Sequence, residues 1–239
     1  MSIRSSVYNL LLHLGWEVRR TGYPSSEEQL LKRFLAVAQP DVILDVGANV
    51  GQYARSLRTC GFAGHIISFE ASAGVHAQLQ SAAAADARWT VAPCCALGRT
   101  PGALQINVAN NSVSSSLLPM HDIHLHAAPD SRFIGTQTVR IERLEDVAKP
   151  LLPAGRLMLK VDTQGYEEEV LAGAGEVLAR ACALQVELSL APLYQGAPTL
   201  RRMLEVCETA GFTLQGLIPG FHDAKSGRLL QVDGLFLRL

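Results

Sequence analysis

The sequence has no apolar run long enough to cross a bilayer, so a membrane-spanning helix is not expected. It also lacks a basic excess. Lys and Arg number 21 against 22 Asp and Glu, a formal net charge of −1, which argues against a protein held to nucleic acid by its phosphates. Aromatic residues are only 6%, so no long sugar-stacking groove is evident. Five cysteines (Cys60, Cys94, Cys95, Cys182, Cys207) are an odd number without metal-ligand spacing, and read as free thiols in a reducing, cytoplasmic setting. There is no internal repeat, low-complexity tract or interdomain linker. What remains is a composition with 48% hydrophobic and 18% charged residues, suited to a single globular domain with a sizeable core.

Residues 5–17 place Val7, Leu10, Leu11 and Leu14 at helical spacing. Trp16-Glu17-Val18-Arg19-Arg20 follows where a signal-peptide cleavage site would need small residues, so an amphipathic helix is expected instead. That helix could pack on the domain, a second subunit or a membrane surface, which leaves a homo-oligomer open. Ser25-Ser26-Glu27-Glu28 starts a second helix that stops near Ala38, before Pro40. Residues 1–40 therefore read as an N-terminal helical extension.

Val42-Ile43-Leu44 reads as a buried strand, and Gln52 onward as a helix. Between them lies Asp45-Val46-Gly47-Ala48-Asn49-Val50-Gly51, a strand-to-helix turn whose backbone N–H groups are expected to be free for a ligand. Gly47 suits a tight turn, Asn49 a left-handed residue, and Gly51 a close helix start. Asp45 can hold a cationic group. The spacing D-x-G-x-N-x-G differs from the G-x-G-x-x-G of dinucleotide enzymes. It looks like the first motif of class I S-adenosylmethionine-dependent methyltransferases, with Asn49 where many have a second Gly.

The second strand ends at Glu70, about where nucleotide-binding sheets place a carboxylate on ribose hydroxyls. A third strand is expected over residues 89–97, its end around Cys95-Ala96 lying beside an adenine. Residues 98–135 interrupt the alternation with a short strand, a polar Asn-Ser loop, and His121, His124 and His126. This insertion is a substrate-binding candidate. Its histidines could ligate a metal, though carboxylate partners are few, or one could serve as general base. A short strand follows at Val139-Arg140-Ile141. The fourth sheet strand, Leu157 to Asp162, carries Lys160 and Asp162 on one face; they form a structural ion pair or do chemistry. A helix from Glu167 to Leu178, a fifth strand ending at Glu187, a helix to Ala210 and two closing strands complete the chain.

Asp45, Glu70, Asp162 and Glu187 thus end four strands along one sheet edge, where ligands bind. The expected fold is α/β: a Rossmann-like, doubly wound, mostly parallel seven-stranded sheet with an antiparallel C-terminal hairpin strand. Residues 41–239 form a single domain with the insertion 98–135.

From about residue 40 the chain resembles FkbM-family methyltransferases. The resemblance rests on the 45–53 turn, Ser68-Phe69-Glu70, Ala96-Leu97-Gly98, Asn111-Ser112 with Ser114-Ser115-Ser116, residues 159–167, Leu193-Tyr194 and Asp233-Gly234-Leu235-Phe236. Arg143-Leu144-Glu145 departs from the family's usual Leu-Asp but keeps an acid. The resemblance implies S-adenosyl-L-methionine as donor and a hydroxyl acceptor on a small molecule or glycan, commonly a sugar, glycolipid or polyketide-type product. It assigns the donor to Asp45, Gly47, Ala48, Asn49, Gly51, Tyr53, Glu70 and Ala96, and catalysis to Asp162, Lys160 and Glu187. A Mg²⁺ shared by Asp162 and Glu187 is the less favoured alternative. Two rivals stand beside this reading. One is an NAD(P)-dependent oxidoreductase, although no Tyr is followed four residues later by Lys. The other is an inactive methyltransferase-like binding module.

Overall fold

The computed structural model describes residues 10–11, 13–14 and 26–238. Apart from those four residues, the expected helix over 5–17 lies outside the described part. The chain then runs α1 (Glu27–Ala38), β1 (Val42–Val46), α2 (Gln52–Thr59), β2 (His65–Phe69), α3 (Ala73–Ala83), β3 (Trp89–Val91), β4 (Ala96–Leu97) and β5 (Gly102–Ala109). It continues through α4 (Asp122–Ala127), β6 (Phe133–Glu142), α5 (Leu144–Ala148), β7 (Leu157–Val161), α6 (Glu167–Ala172), α7 (Gly175–Arg180), β8 (Ala181–Ser189), α8 (Leu200–Thr209), β9 (Phe212–Pro219) and β10 (Gln231–Arg238).

Seven strands form one sheet in the order β3-β2-β1-β7-β8-β10-β9. The pairs from β3 to β8 are parallel, and β10 runs antiparallel to both β8 and β9. This is the expected fold class. The strand order reverses between β1 and β7, the crevice where open α/β sheets bind ligands.

Side-chain alternation sorts the core into two layers. Ile43, Ile66, Met158, Ala183 and Leu235 face one side and pack against Leu31, Phe34, Leu35 and Ala38 of α1 and Leu57 of α2. Leu44, Leu159, Val161, Val186 and Leu188 face the other, against Leu144, Val170, Val177 and Met203 of α5–α8. Ser26 caps α1, its hydroxyl accepting from Gln29 N at 3.3 Å, with Glu27 and Glu28 in the first turn.

Three elements differ from the sequence expectation. The strand expected over 89–97 is two: β3 stops at Val91, and β4 joins a second sheet of order β4-β6-β5. Pro93 lies between them and cannot donate to a ladder. The short strand expected at 139–141 is ten residues long, because β6 pairs with β5 from Phe133 to Ile141. The helix expected over 167–178 breaks into α6 and α7. Gly173 at the break packs directly on the Gly98 carbonyl, leaving no room for a Cβ.

Gly173→Ala would force a backbone shift at the junction with the second sheet. We expect a loss of roughly 2–3 kcal/mol in urea denaturation, with Gly102→Ala, where a Cβ meets open space, as a neutral control.

Candidate functional site

On the face covered by α1 and α2, the apolar pattern gives way at the penultimate residue of β1, β2 and β7. A buried polar row takes its place. Trp89 Nε1 donates to Ser68 Oγ (3.0 Å), and Ser68 Oγ donates to Asp45 Oδ2 (3.3 Å). Lys160, in register with Asp45 on the neighbouring strand, places Nζ 3.2 Å from Asp45 Oδ1 and 3.4 Å from Asp162 Oδ2. The same ammonium donates to the Gly47 carbonyl at 3.4 Å and lies 5.2 Å from the Tyr53 ring centroid. Tyr53 OH donates to Gln185 Oε1 (2.7 Å), and Gln185 Nε2 donates to Asp233 Oδ2 (3.2 Å). Burial alone would lower the Lys160 pKa, but Asp45, Asp162 and Asp233 outweigh it and hold the ammonium above its ordinary range. Burial raises the Asp45 carboxyl, against the opposing pull of Lys160. The structural ion pair is therefore formed, and Lys160 also reaches the site.

Above this row lies a cavity of about 410 Å³ at the β1–β7 reversal. Gly47 (φ 77°) passes so close to the Asp162 carbonyl that no Cβ fits. Asn49 (φ 49°) and Gly51 (φ 85°) continue the left-handed path, and a Cβ on Gly51 would meet the Trp89 ring at 2.5 Å. The N–H groups of this turn are not free, contrary to the sequence expectation. Gly47 N and Ala48 N both donate to Phe69 O, Asn49 N to Glu70 Oε2, Val50 N to Asn49 Oδ1, and Gly51 N to Ala48 O. Glu70 completes a bracket by accepting Ser72 N on Oε1 at 2.8 Å. Burial pushes its carboxyl up, and these N–H groups pull it back.

Asp162 follows β7 with about a third of its side chain exposed. Its Oδ1 accepts Gln164 Nε2 at 2.9 Å, and the same amide reaches both Glu187 oxygens at 3.1 and 3.0 Å. Gln164 holds a left-handed backbone (φ 56°), which costs a residue with a Cβ about 1 kcal/mol. Three contacts over-determine it. Tyr194 OH donates to its Oε1 (2.8 Å), and Ser116 Oγ donates to its carbonyl (2.7 Å). Glu167 Oε1 accepts the flanking Thr163 N and Gly165 N at 2.8 and 3.0 Å. Burial drives the Glu167 carboxyl up to about 7, and raises Glu187 well above the carboxylate range with help from Asp162 and Glu167.

Of the sequence candidates, Gly47, Ala48, Asn49, Tyr53, Glu70, Ala96, Lys160 and Asp162 line the cavity. Gly51, Asp45 and Glu187 do not. Gly51 packs on Trp89 and Asp45 lies beneath the floor, wholly buried; Glu187 is joined to the cavity through the Gln164 amide. The insertion roofs the cavity with Ser112, Val113, Ser115, Ser116 and Leu117. His121, His124 and His126 are absent from the lining. His124 is buried against Tyr194 and Phe221, its pKa lowered to about 4 by burial. Among the described residues, no group of three or more His, Cys, Asp or Glu is disposed to hold a metal ion. Gln164, Gln185, Asp233 and Glu27 were not singled out for the site from sequence. Strand register brings in Gln185 and Asp233 on β8 and β10, whereas Gln164 enters from the turn after β7 and Glu27 from the start of α1.

The buried ion pair and the acid cluster each give a test. Lys160→Met strands the Asp45 charge and should cost roughly 3–5 kcal/mol in urea denaturation; adding Asp45→Asn should recover more than half of it. A carboxyl raised to about 7 when folded binds a proton that the unfolded chain releases, so its contribution to stability falls as pH rises from about 4.5 through 7. Glu167→Gln keeps the Oε1 acceptor and removes that titration. The variant should gain on wild type at pH 8 and lose the advantage at pH 5, read from paired denaturation curves.

No match was found among curated proteins. Among solved structures, a putative O-methyltransferase from Klebsiella pneumoniae is similar at 13% identity and TM-score 0.50, covering 98% of this chain and 97% of that one. The O-methyltransferase from Bacillus cereus in complex with SAH is similar at 11% identity and TM-score 0.50, covering 98% and 89%. At these identities the likeness speaks for the fold alone. The model of the methyltransferase FkbM domain matches residues 45–214, which run from the end of β1 into β9 and include most of the cavity lining and the insertion, and the chain belongs to that family of methyltransferases.

Proposed function

We propose that the chain is an O-methyltransferase with S-adenosyl-L-methionine as donor and a hydroxyl of a sugar, glycolipid or polyketide-type natural product as acceptor. The observation that carries this reading is the charge of the cavity. Its lining holds four carboxylates, Glu27, Glu70, Asp162 and Asp233, against one ammonium, Lys160. Such a site favours a ligand with a net positive charge, as a sulfonium with an amino-acid end has. It disfavours a dinucleotide, whose phosphates would meet carboxylates and a turn with its N–H groups engaged. That weighs against the NAD(P) oxidoreductase reading.

The residues present fit the donor. Glu70, aimed by Asn49 N and Ser72 N, keeps lone pairs for a vicinal diol. Cys95, Ala96 and Leu97 supply an apolar flank for a base, and Gly47 lets a ligand approach the backbone. When bound, S-adenosylmethionine supplies an electrophilic methyl group. The chain's own task is to align the acceptor and handle its proton. Asp162, held from both sides by Lys160 and Gln164, is the residue placed to orient a hydroxyl and take its proton. Lys160 offers a positive charge to a developing alkoxide. Glu187 acts behind them as a positioning residue. The Gln164 amide already bridges Asp162 and Glu187, the place a shared Mg²⁺ would take, and we assign no step to a metal. The five free cysteines support a reducing, cytoplasmic location.

Calorimetric titration tests the donor. S-adenosylhomocysteine should bind one-to-one and NAD⁺ should not; binding of NAD⁺ alone would overturn the reading. Silence from both would favour a binding module without activity. Asp162→Asn should leave S-adenosylhomocysteine affinity within about threefold while cutting methyl transfer to hydroxylated acceptors by roughly 100-fold or more, measured with labelled donor. Undiminished transfer would remove Asp162 from the chemistry.

A further inference from the structure

The family resemblance gives the ammonium of the donor's amino-acid end to Asp45, directly or through water, but the structure leaves Asp45 unsuited to it. That carboxylate is wholly buried, pairs with Lys160 at 3.2 Å, accepts Ser68 Oγ and does not reach the cavity lining. Another carboxylate lies on the same sheet face. Asp233 of β10 is in register with Glu187, and Gln185 sits two residues along β8. It lines the cavity together with Gln52, Tyr53, Ser56 and Glu27. Its Oδ2 accepts Gln185 Nε2 at 3.2 Å, while its Oδ1 receives no hydrogen bond from the described residues. Gln185 is itself fixed, because its Oε1 accepts Tyr53 OH at 2.7 Å. Lys160 does not complete the shell. Its ammonium donates to the Gly47 carbonyl and forms its ion pairs with Asp45 and Asp162.

A cavity-lining carboxylate with one oxygen held by Gln185 and the other receiving no donor from the described residues has an acceptor left for a cationic group. We propose that Asp233 receives the α-ammonium of S-adenosylmethionine, in the role the family resemblance gives to Asp45, with Glu27 adding a second negative charge at the same end. The assignment rests on the donor reading above. It also accounts for Tyr53 and Gln185, which hold the Asp233 carboxylate in place.

The test compares two ligands by calorimetry: S-adenosylhomocysteine, and methylthioadenosine, which lacks the amino-acid end. Asp233→Asn keeps an acceptor for Gln185 and removes only the charge. The variant should bind S-adenosylhomocysteine roughly 10- to 100-fold more weakly than wild type, the range for a lost charged hydrogen bond, and bind methylthioadenosine as wild type does. Unchanged S-adenosylhomocysteine affinity would overturn the assignment and leave the donor reading standing. Equal weakening of both ligands would overturn it too, since that reports a damaged cavity. Wild type that binds neither ligand would remove the donor reading, and the assignment with it.

Discussion

The site depends on one buried cation. Lys160 lies on β7, a central strand, and is almost wholly enclosed. Taking an ammonium and the Asp45 carboxylate out of water costs several kcal/mol for each ion. Their attraction at 3.2 Å returns roughly 5 kcal/mol at an effective dielectric of about 20. The pair alone is therefore no large source of stability. Its effect is geometric. An ammonium that must find three acceptors draws together Asp45 from β1, the Gly47 carbonyl from the glycine turn and Asp162 from the end of β7. Each belongs to a different piece of the site, and none can move far without leaving a buried charge unanswered.

The same economy of donors shapes ligand recognition. Turns of this type in phosphate-binding folds present open N–H groups. Here the N–H groups from Gly47 to Gly51 all find partners within the protein, and Glu70 occupies one of them. Recognition must then come from side chains, and four of the five charged ones are acidic. The left-handed turn still serves the site, because Gly47 packs where any side chain would collide with Asp162. Its glycine is required by the proximity of two strand ends rather than by a ligand's phosphate.

Much of this was legible in the sequence because it is carried by local signals. The buried strands, the glycine turn and the acids near the ends of β1, β2, β7 and β8 follow from apolar runs ending in polar residues. The seven-stranded, mostly parallel sheet with its antiparallel end follows from the family resemblance as well as from alternation. What sequence reasoning could not supply was the state of each carboxylate. Asp45 and Glu70 look alike as strand-end acids, yet one is sealed beneath the floor and the other faces the cavity. The difference comes from register. Asp45 is still within β1 and opposite Lys160, whereas Glu70 lies one residue past β2. Gln164 and Gln185 were missed for a related reason. A neutral amide carries no motif signal, and its value lies in partners 23 to 132 residues away. The small β4-β6-β5 sheet was half-seen, because β4 has only two residues and is defined by its partner alone.

Gln164 also explains how the insertion belongs to the site rather than merely covering it. The Ser112–Ser116 loop is tied at two points. Ser112 Oγ meets the Asn49 side chain at 3.2 Å, on the donor-side turn, and Ser116 Oγ bonds the Gln164 carbonyl at 2.7 Å, beside Asp162. Tyr194, from the segment after β8, closes the circuit: its hydroxyl donates to Gln164 Oε1 at 2.8 Å and lies 3.2 Å from the Ser114 carbonyl. Turn, roof and carboxylates therefore share one hydrogen-bonded network, and a displacement of the roof reaches Asp162 through a single amide. Under the proposed reading, the loop over the cavity would also set the direction of Asp162. Seating an acceptor under residues 112–117 and aligning that carboxylate would then be one event, with the strained Gln164 backbone as the joint between them.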